Sequence, residues 1–260
     1  MASRAQVVSS FTVIKGTLIE PTYQAFALWD LTLTKKQNLD RFKATDPFGA
    51  GSANWWRDLA KAINRRFDPS GRDRPLVLLA ARHCPLEVWR PLLLWHMTRD
   101  EFLVRDFLVN FLYPLHADGT WRVRTSDVIP YLRGLHGRTD IAIKEAWSED
   151  TEDRVASGLL RLAGDFGLMT GTISREFVSY HLPEPAFLYL LHAIRDHEPN
   201  IHRLVHNPEW RMFLMGPEDV ERELFRLHQF QRVHYEVAGS IAQLRLPCAS
   251  AGAYAEEMAS

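Results

Sequence analysis

The chain has 260 residues and only two cysteines, Cys84 and Cys248, far apart in sequence. Two thiols exclude a disulfide framework and a cysteine-rich zinc site, and a reducing cytoplasm is the expected setting. Charge of one sign is also missing. Lys plus Arg number 31 against 32 Asp plus Glu, a net charge of −1, so no bulk attraction to a polyanion is available and any phosphate contact must come from local clusters. No hydrophobic run is both long and uninterrupted. The longest, Leu76 to Met97, is broken by Arg82, His83, Glu87 and Arg90, which favours buried helices over a membrane span, and Met1 to Ser10 has no signal-peptide core.

Catalytic machinery is equally scarce. Gly49-Ala50-Gly51 lacks the lysine that would make it a phosphate loop, and there is no His-Glu-x-x-His. His202 and His206 could share a helical face, but no third ligand accompanies them. His83 and Cys84 are adjacent, and adjacent helical residues do not face each other. The pairs Glu149-Asp150 and Glu152-Asp153 lie where a helix begins, where the dipole accounts for them. The expectation is a non-enzyme with no cofactor, no metal and no small-molecule substrate.

What is present is helical periodicity. Hydrophobic residues are 46% and charged residues 24% of the chain, enough for a large core. Pro21 suits the first turn of a helix with Ala25, Phe26 and Trp29. Ser52 precedes one carrying Trp55, Trp56, Leu59, Ile63 and Phe67, and Pro75 and Pro85 punctuate two more. Residues 1–98 are therefore expected as a helical N-terminal domain.

Residues 99–185 read as helix, strand, helix, helix and hairpin, the order of a winged helix. Phe102, Leu103, Phe107, Leu108, Phe111 and Leu112 recur at helical spacing, and Pro114 with Asp118-Gly119 is expected to end that helix. Trp121-Arg122-Val123-Arg124 alternates as a short strand. Thr125 or Ser126 can cap a helix through Leu135, and Thr151-Glu152-Asp153 opens another ending at Gly167. Ile173, Phe177 and Val178, followed by Tyr180 and Leu182, form the wing beyond Gly171.

Residues 186–247 repeat the ending of that pattern. Helices around 186–198 and 208–215 are followed by one opened by Pro217-Glu218-Asp219, then by a hairpin of Val233 to Val237 and Ile241 to Leu246 turning at Ala238-Gly239-Ser240. This predicts a second winged-helix-like unit, with 248–260 as a flexible tail. The fold class is mainly α: a helical N-terminal domain, then winged-helix-like units with small β-hairpins.

The basic residues cluster in three places. Arg57, Lys61 and Arg65 are four apart and form a ridge, with Arg66 beside it. Arg154 and Arg161, seven apart, share one side of the expected recognition helix, where Gly158 would let a backbone or a phosphate approach, and Arg175 sits on the wing. Arg222, Arg226 and Arg232 mark the second unit. Each cluster is also readable as an ordinary solvated face, because acids such as Asp153, Glu221 and Glu223 intervene.

Ser10-Phe11-Thr12-Val13-Ile14-Lys15-Gly16-Thr17-Leu18-Ile19-Glu20, the Leu- and Phe-rich stretch from Trp89 to Leu112 with Arg105-Asp106-Phe107-Leu108, and the ending Leu244-Arg245-Leu246-Pro247 together resemble the BrxA family of BREX bacteriophage-defence systems. Lys15-Gly16 followed by Leu18 and Glu20 is the most diagnostic piece. The resemblance implies a helical protein with winged-helix elements that binds double-stranded DNA and works beside other BREX components. It carries over no catalytic residue. The alternative is an adaptor that docks other defence components through Trp55, Trp56 or Trp121 without touching DNA, with a metal-dependent nuclease a distant third.

Overall fold

The computed structural model describes residues 7–49, 53–135, 137–138, 141–143, 147–239 and 241–260. A two-residue strand, Val7–Val8 (β1), leads into five helices that alternate with short turns: Phe11–Lys15 (α1), Ile19–Ala27 (α2), Lys35–Thr45 (α3), Ala53–Arg66 (α4) and Arg74–Ala81 (α5). Leu86–Met97 (α6) follows, and then Phe102–Asp106 (α7), a π-helical turn Phe107–Leu112 and Tyr113–Ala117 (α8). Arg122–Arg124 (β2), Thr125–Leu135 (α9), Ala142–Ile143 (β3), Glu149–Asp165 (α10), Met169–Thr170 (β4) and Ser174–Phe177 (β5) make up the middle of the chain. Glu184–Arg195 (α11), Ile201–Val205 (α12), a 3₁₀ turn Pro208–Phe213, Pro217–Gln229 (α13), His234–Ala238 (β6), Ile241–Arg245 (β7) and Ala251–Met258 (α14) complete it. The fold is mainly α with small hairpins.

Local chemistry accounts for most of these starts. Thr34 and Gln37 form a reciprocal capping box on α3, Pro75 and Pro217 sit in the first turns of α5 and α13, and Asp219 accepts from the Gly216 N–H at 2.9 Å. The N-cap expected at Ser52 lies outside the described residues, as does Ser240 of the second hairpin turn. Helix α10 starts earlier than its sequence suggests, because Ser148 rather than Thr151 supplies the cap. Before α9 the acceptor is Asp127, which takes the Arg124 N–H at 2.8 Å.

Pro114 does not end its helix. The chain runs through it to Ala117, directly after the π-helical turn, whose wider hydrogen-bond spacing relaxes the ring's demand on the preceding carbonyls. Asp106, at the junction, is buried and accepts from Asn110 (2.8 Å), Tyr131 (2.8 Å) and Arg138 (2.7 Å), tying this irregular helix to α9.

β2 pairs antiparallel with β5 and β5 with β4, giving the strand order β2-β5-β4. Val123, opposite Arg175, faces inward and is fully buried. Ile173, expected in the strand, stands instead at the tip of the β4–β5 turn. Tyr180 and Leu182 lie beyond the strands. β6 and β7 form a separate two-stranded ladder, and β1 runs parallel to β3.

The buried residues form one cluster from Val8 to Ala255. Helix α6 packs on α11 and α5 on α14, so the boundaries at 98/99 and 185/186 divide the element order but not the core. The expected flexible tail is corrected by α14, which Ser250 caps and which buries Ala251, Tyr254 and Ala255. Its apolar residues at three- and four-residue spacing have a surface to cover, and ordering follows.

Candidate nucleic-acid interface

Helix α10 has two unlike faces. Val155, Ala156, Leu159, Leu160, Leu162 and Ala163 are buried, whereas Asp150, Arg154, Ser157 and Arg161 form an exposed stripe at four-, three- and four-residue steps. Among the described residues Arg154 and Arg161 have no ion-pair partner.

Gly158 lies on the covered side. A Cβ there would stand 2.6 Å from Val13 Cγ1 and 3.0 Å from the Val13 carbonyl oxygen, so glycine admits the backbone of α1, not a phosphate. Gly158→Ala is expected to lower stability in urea unfolding by about 1–3 kcal/mol despite alanine's better helix propensity, because α1 has to shift. Unchanged stability would show that this contact carries no strain.

The segment after α1 clips three elements together. Gly16 takes φ +84° and Leu18 φ 53°, so the chain turns sharply between the two helices. Lys15 pairs with Asp58 of α4 at 2.9 Å, the Thr17 hydroxyl donates to Asp165 of α10 at 2.9 Å, and Arg66 donates to the carbonyls of Gly16 (2.9 Å) and Thr17 (3.1 Å). Arg161 Nη2 lies 3.9 Å from where a Gly16 Cβ would stand. The basic end of α1 therefore joins the exposed stripe of α10 to α4. On α4, Arg57 and Lys61 are exposed, and the hydrogen bond from Lys15 together with the charges of Lys15, Arg57 and Lys61 holds the Asp58 carboxyl below its usual range. One acid among three cations leaves this surface positive.

The structure places the other expected contact residues away from this stripe or in contacts with their own chain. Arg66 is 0% exposed, and burial pushes its guanidinium down to about 10; it is an internal strut. Arg65 is held by Glu101 at 2.7 and 3.3 Å and lies over the Phe11 ring, so the ridge stops at Lys61. Arg175 turns inward, with Nη1 2.6 Å from where a Gly164 Cβ would stand, and pins the hairpin to α10. In the C-terminal part Arg222 pairs with Asp219 (3.0 Å), Arg226 with Glu223 (2.6 Å) and Glu184 (2.8 Å), and Arg232 with Glu184 (3.0 Å). Hydrogen bonds to Glu223 and Glu184 raise the Arg226 pKa. All three arginines are paired with carboxylates of their own chain.

Sequence reasoning missed a buried chain of polar groups. His96 Nδ1 lies 2.6 Å from Asp73 Oδ1, and its Nε2 lies 2.8 Å from the Tyr189 hydroxyl, linking the start of α5 to α6 and α11. Asp73 also accepts the Asp68 N–H at 2.6 Å, and Arg99 stands 3.8 Å away. Burial lowers His96 to about 4 and raises Tyr189. Burial alone would raise Asp73, but the hydrogen bond and charge of His96 and the Asp68 N–H hold it below its ordinary value. Asp73 and His96 are 0% and Tyr189 1% exposed, so no substrate reaches them and the chain acts as an internal brace. No spacing in the sequence announces it.

The two thiols are poor nucleophiles at neutral pH. Burial holds Cys84 up at about 11, and the Glu257 carboxylate, hydrogen-bonded to Cys248, holds that thiol at about 11 as well. His192 beside Cys248 is already engaged, Nδ1 with the Leu188 carbonyl and Nε2 with the Cys248 N–H. His202 and His206 stack at 4.1 Å, and among the described residues no three His, Cys, Asp or Glu side chains are grouped to hold a metal.

A family model, BrxA, matches residues 9–193, from the residues ahead of α1 through α10 and the β4–β5 hairpin into α11. The chain belongs to the BrxA family. BrxA proteins are components of BREX phage defence. No curated protein and no solved structure matches the chain. The BrxA match takes in the whole α4–α1–α10 surface and ends before the second hairpin, whose Leu244 to Pro247 ending lies outside it. Within it, the diagnostic Lys15-Gly16-x-Leu18 has a physical role: a cation for Asp58, then two left-handed backbone positions that turn the chain. Among the described residues of this BrxA chain, no helix is long and apolar enough to cross a membrane.

Proposed function

We propose that this BrxA-family chain is a non-catalytic accessory component of BREX defence that binds double-stranded DNA in the cytoplasm. The observation that carries the reading is the exposed stripe of Asp150, Arg154, Ser157 and Arg161, whose two arginines have no ion-pair partner among the described residues and which Lys15 links to Arg57 and Lys61. Residues 102–177 act as a winged helix: the helix–strand–helix–helix–hairpin order and the pairing of β2 with β5 support that assignment. Helix α10 enters the major groove while α4 lies along the flanking phosphates. The second unit, residues 186–247, follows the same scheme with a two-stranded hairpin among the described residues.

The test is duplex binding over a salt series. Contacts to phosphate release counterions, so affinity is expected to fall steeply with salt, the logarithmic slope being about −0.9 per phosphate neutralised. No mobility shift at about 50 mM salt, where such contacts are strongest, overturns the reading.

A second reading rests on Trp121, 62% exposed with the Arg122 guanidinium 4.6 Å from its ring centroid. An exposed tryptophan beside an arginine is the composition of a protein-binding hot spot, and other BREX components are the partners it would dock. Trp55 and Trp56 are half-buried against Phe48 and do not offer such an anchor. Retention of BREX components by the wild-type chain and their loss with Trp121→Ala support this reading; equal retention removes it.

A further inference from the structure

Ile173 is 91% exposed, the highest value among the large hydrophobic residues described. It stands at the tip of the β4–β5 turn, between Thr172 and Ser174. The tip is held in place. Gly171 has φ +91°, and a Cβ there would lie 2.3 Å from the Ser174 carbonyl oxygen, so the turn closes as tightly as glycine allows. β4 follows α10 almost at once, where Gly167 (φ +78°) turns the chain and the Leu168 N–H donates to Ala163, and Arg175 packs over Gly164. The hairpin is therefore fixed to the C-terminal end of the helix that carries Arg154 and Arg161.

Arg124 pairs in register with Ser174, next to the tip, and has no ion-pair partner among the described residues. The tip thus presents one bare isoleucine, with the exposed Arg124 of the neighbouring strand β2 beside it, while the exposed Glu176 lies two residues further along β5. A protein-binding patch needs contiguous apolar area, and the chain neighbours of Ile173 in the turn are Gly171, Thr172 and Ser174. A single apolar side chain flanked by a cation instead has the chemistry of a wedge between base pairs.

We propose that Ile173 is a minor-groove wedge: on a duplex held by α10, it inserts at a base step and partly unstacks it, with Arg124 on the adjoining phosphate. The proposal rests on the duplex-binding reading above. Wedges of this kind kink DNA by about 20–90° and untwist the site.

The experiment seals a nicked plasmid with ligase in the presence of the full chain at saturating occupancy, removes the protein and resolves the topoisomers. The wild type is expected to shift the distribution to lower linking number. Ile173→Ala abolishes the shift while affinity stays within about tenfold, because wedge burial and unstacking largely offset each other. Thr172→Ala keeps the shift. Saturated binding without a shift, or the same shift from Ile173→Ala, overturns the wedge and leaves the duplex reading standing. Absence of any binding overturns both. Loss of self-association in Ile173→Ala without a topological effect assigns the tip to a second copy of the chain and also overturns the wedge.

Discussion

Replacing Asp73 by alanine is expected to lower the unfolding free energy by about 3–5 kcal/mol, the range for breaking a buried charged pair from one side. The carboxylate is the common acceptor for the His96 ring and the Asp68 N–H and the counter-charge to Arg99. Without it all three stay buried or half-buried with an unmet demand. The loss is large beside a total stability of about 5–15 kcal/mol, so a graded variant is informative too. Tyr189→Phe removes one hydrogen bond to His96 and should lower stability by about 1–3 kcal/mol in urea unfolding.

The same brace predicts a pH dependence. His96 titrates near 4 in the folded chain against about 6.5 unfolded, so between those values the unfolded chain binds more protons. Stability is full above about pH 6.5 and falls as pH drops toward 4, by about 3 kcal/mol in total. His192, also lowered by burial, adds to the same slope. The lowered carboxyl of Asp73 acts below this window, where acid protonates it. His96→Gln should flatten the dependence of the urea midpoint between pH 6.5 and 4. An unchanged slope would show that His96 is not its source.

Neutralising Arg57, Lys61, Arg154 and Arg161 together is expected to weaken duplex binding by about three orders of magnitude near 0.1 M salt and to flatten the logarithmic salt slope by about three to four. All four are exposed, so the variant should fold and its thermal midpoint should change little. Alanine at Arg226 and Arg232 is the contrasting pair: their charges are already met by Glu184 and Glu223, so the slope should not move. The reverse outcome, a slope that responds to Arg226 and Arg232 alone, would place the interface on the C-terminal part.

The elements were legible because helix and strand periods are local. The apolar spacing from Phe102 to Leu112, the alternation at 122–124 and the Pro217-Glu218-Asp219 start each depend on a few neighbouring residues, and each appears where the pattern puts it. Misplaced details were those in which a distant partner intervened. Pro114 is carried through a π-helical turn packed on α9, and the tail folds because α5 and α11 offer it a surface.

The site was less legible than the fold. Ten arginines and lysines carried the sequence-based expectation, and a cation's availability depends on whether an acid or carbonyl elsewhere has claimed it. Arg65 meets Glu101 at a separation of 36 residues, Arg226 meets Glu184 at 42 and Arg66 meets Gly16 at 50. Near-neutral composition makes this decisive, since almost every cation has an acid that could take it. The sequence by itself determined the helical class, the order of elements and the family-like Lys15-Gly16 motif. Only the tertiary structure decided which charges remain in solvent, because ion pairing and burial are set by distances in space that no local pattern encodes.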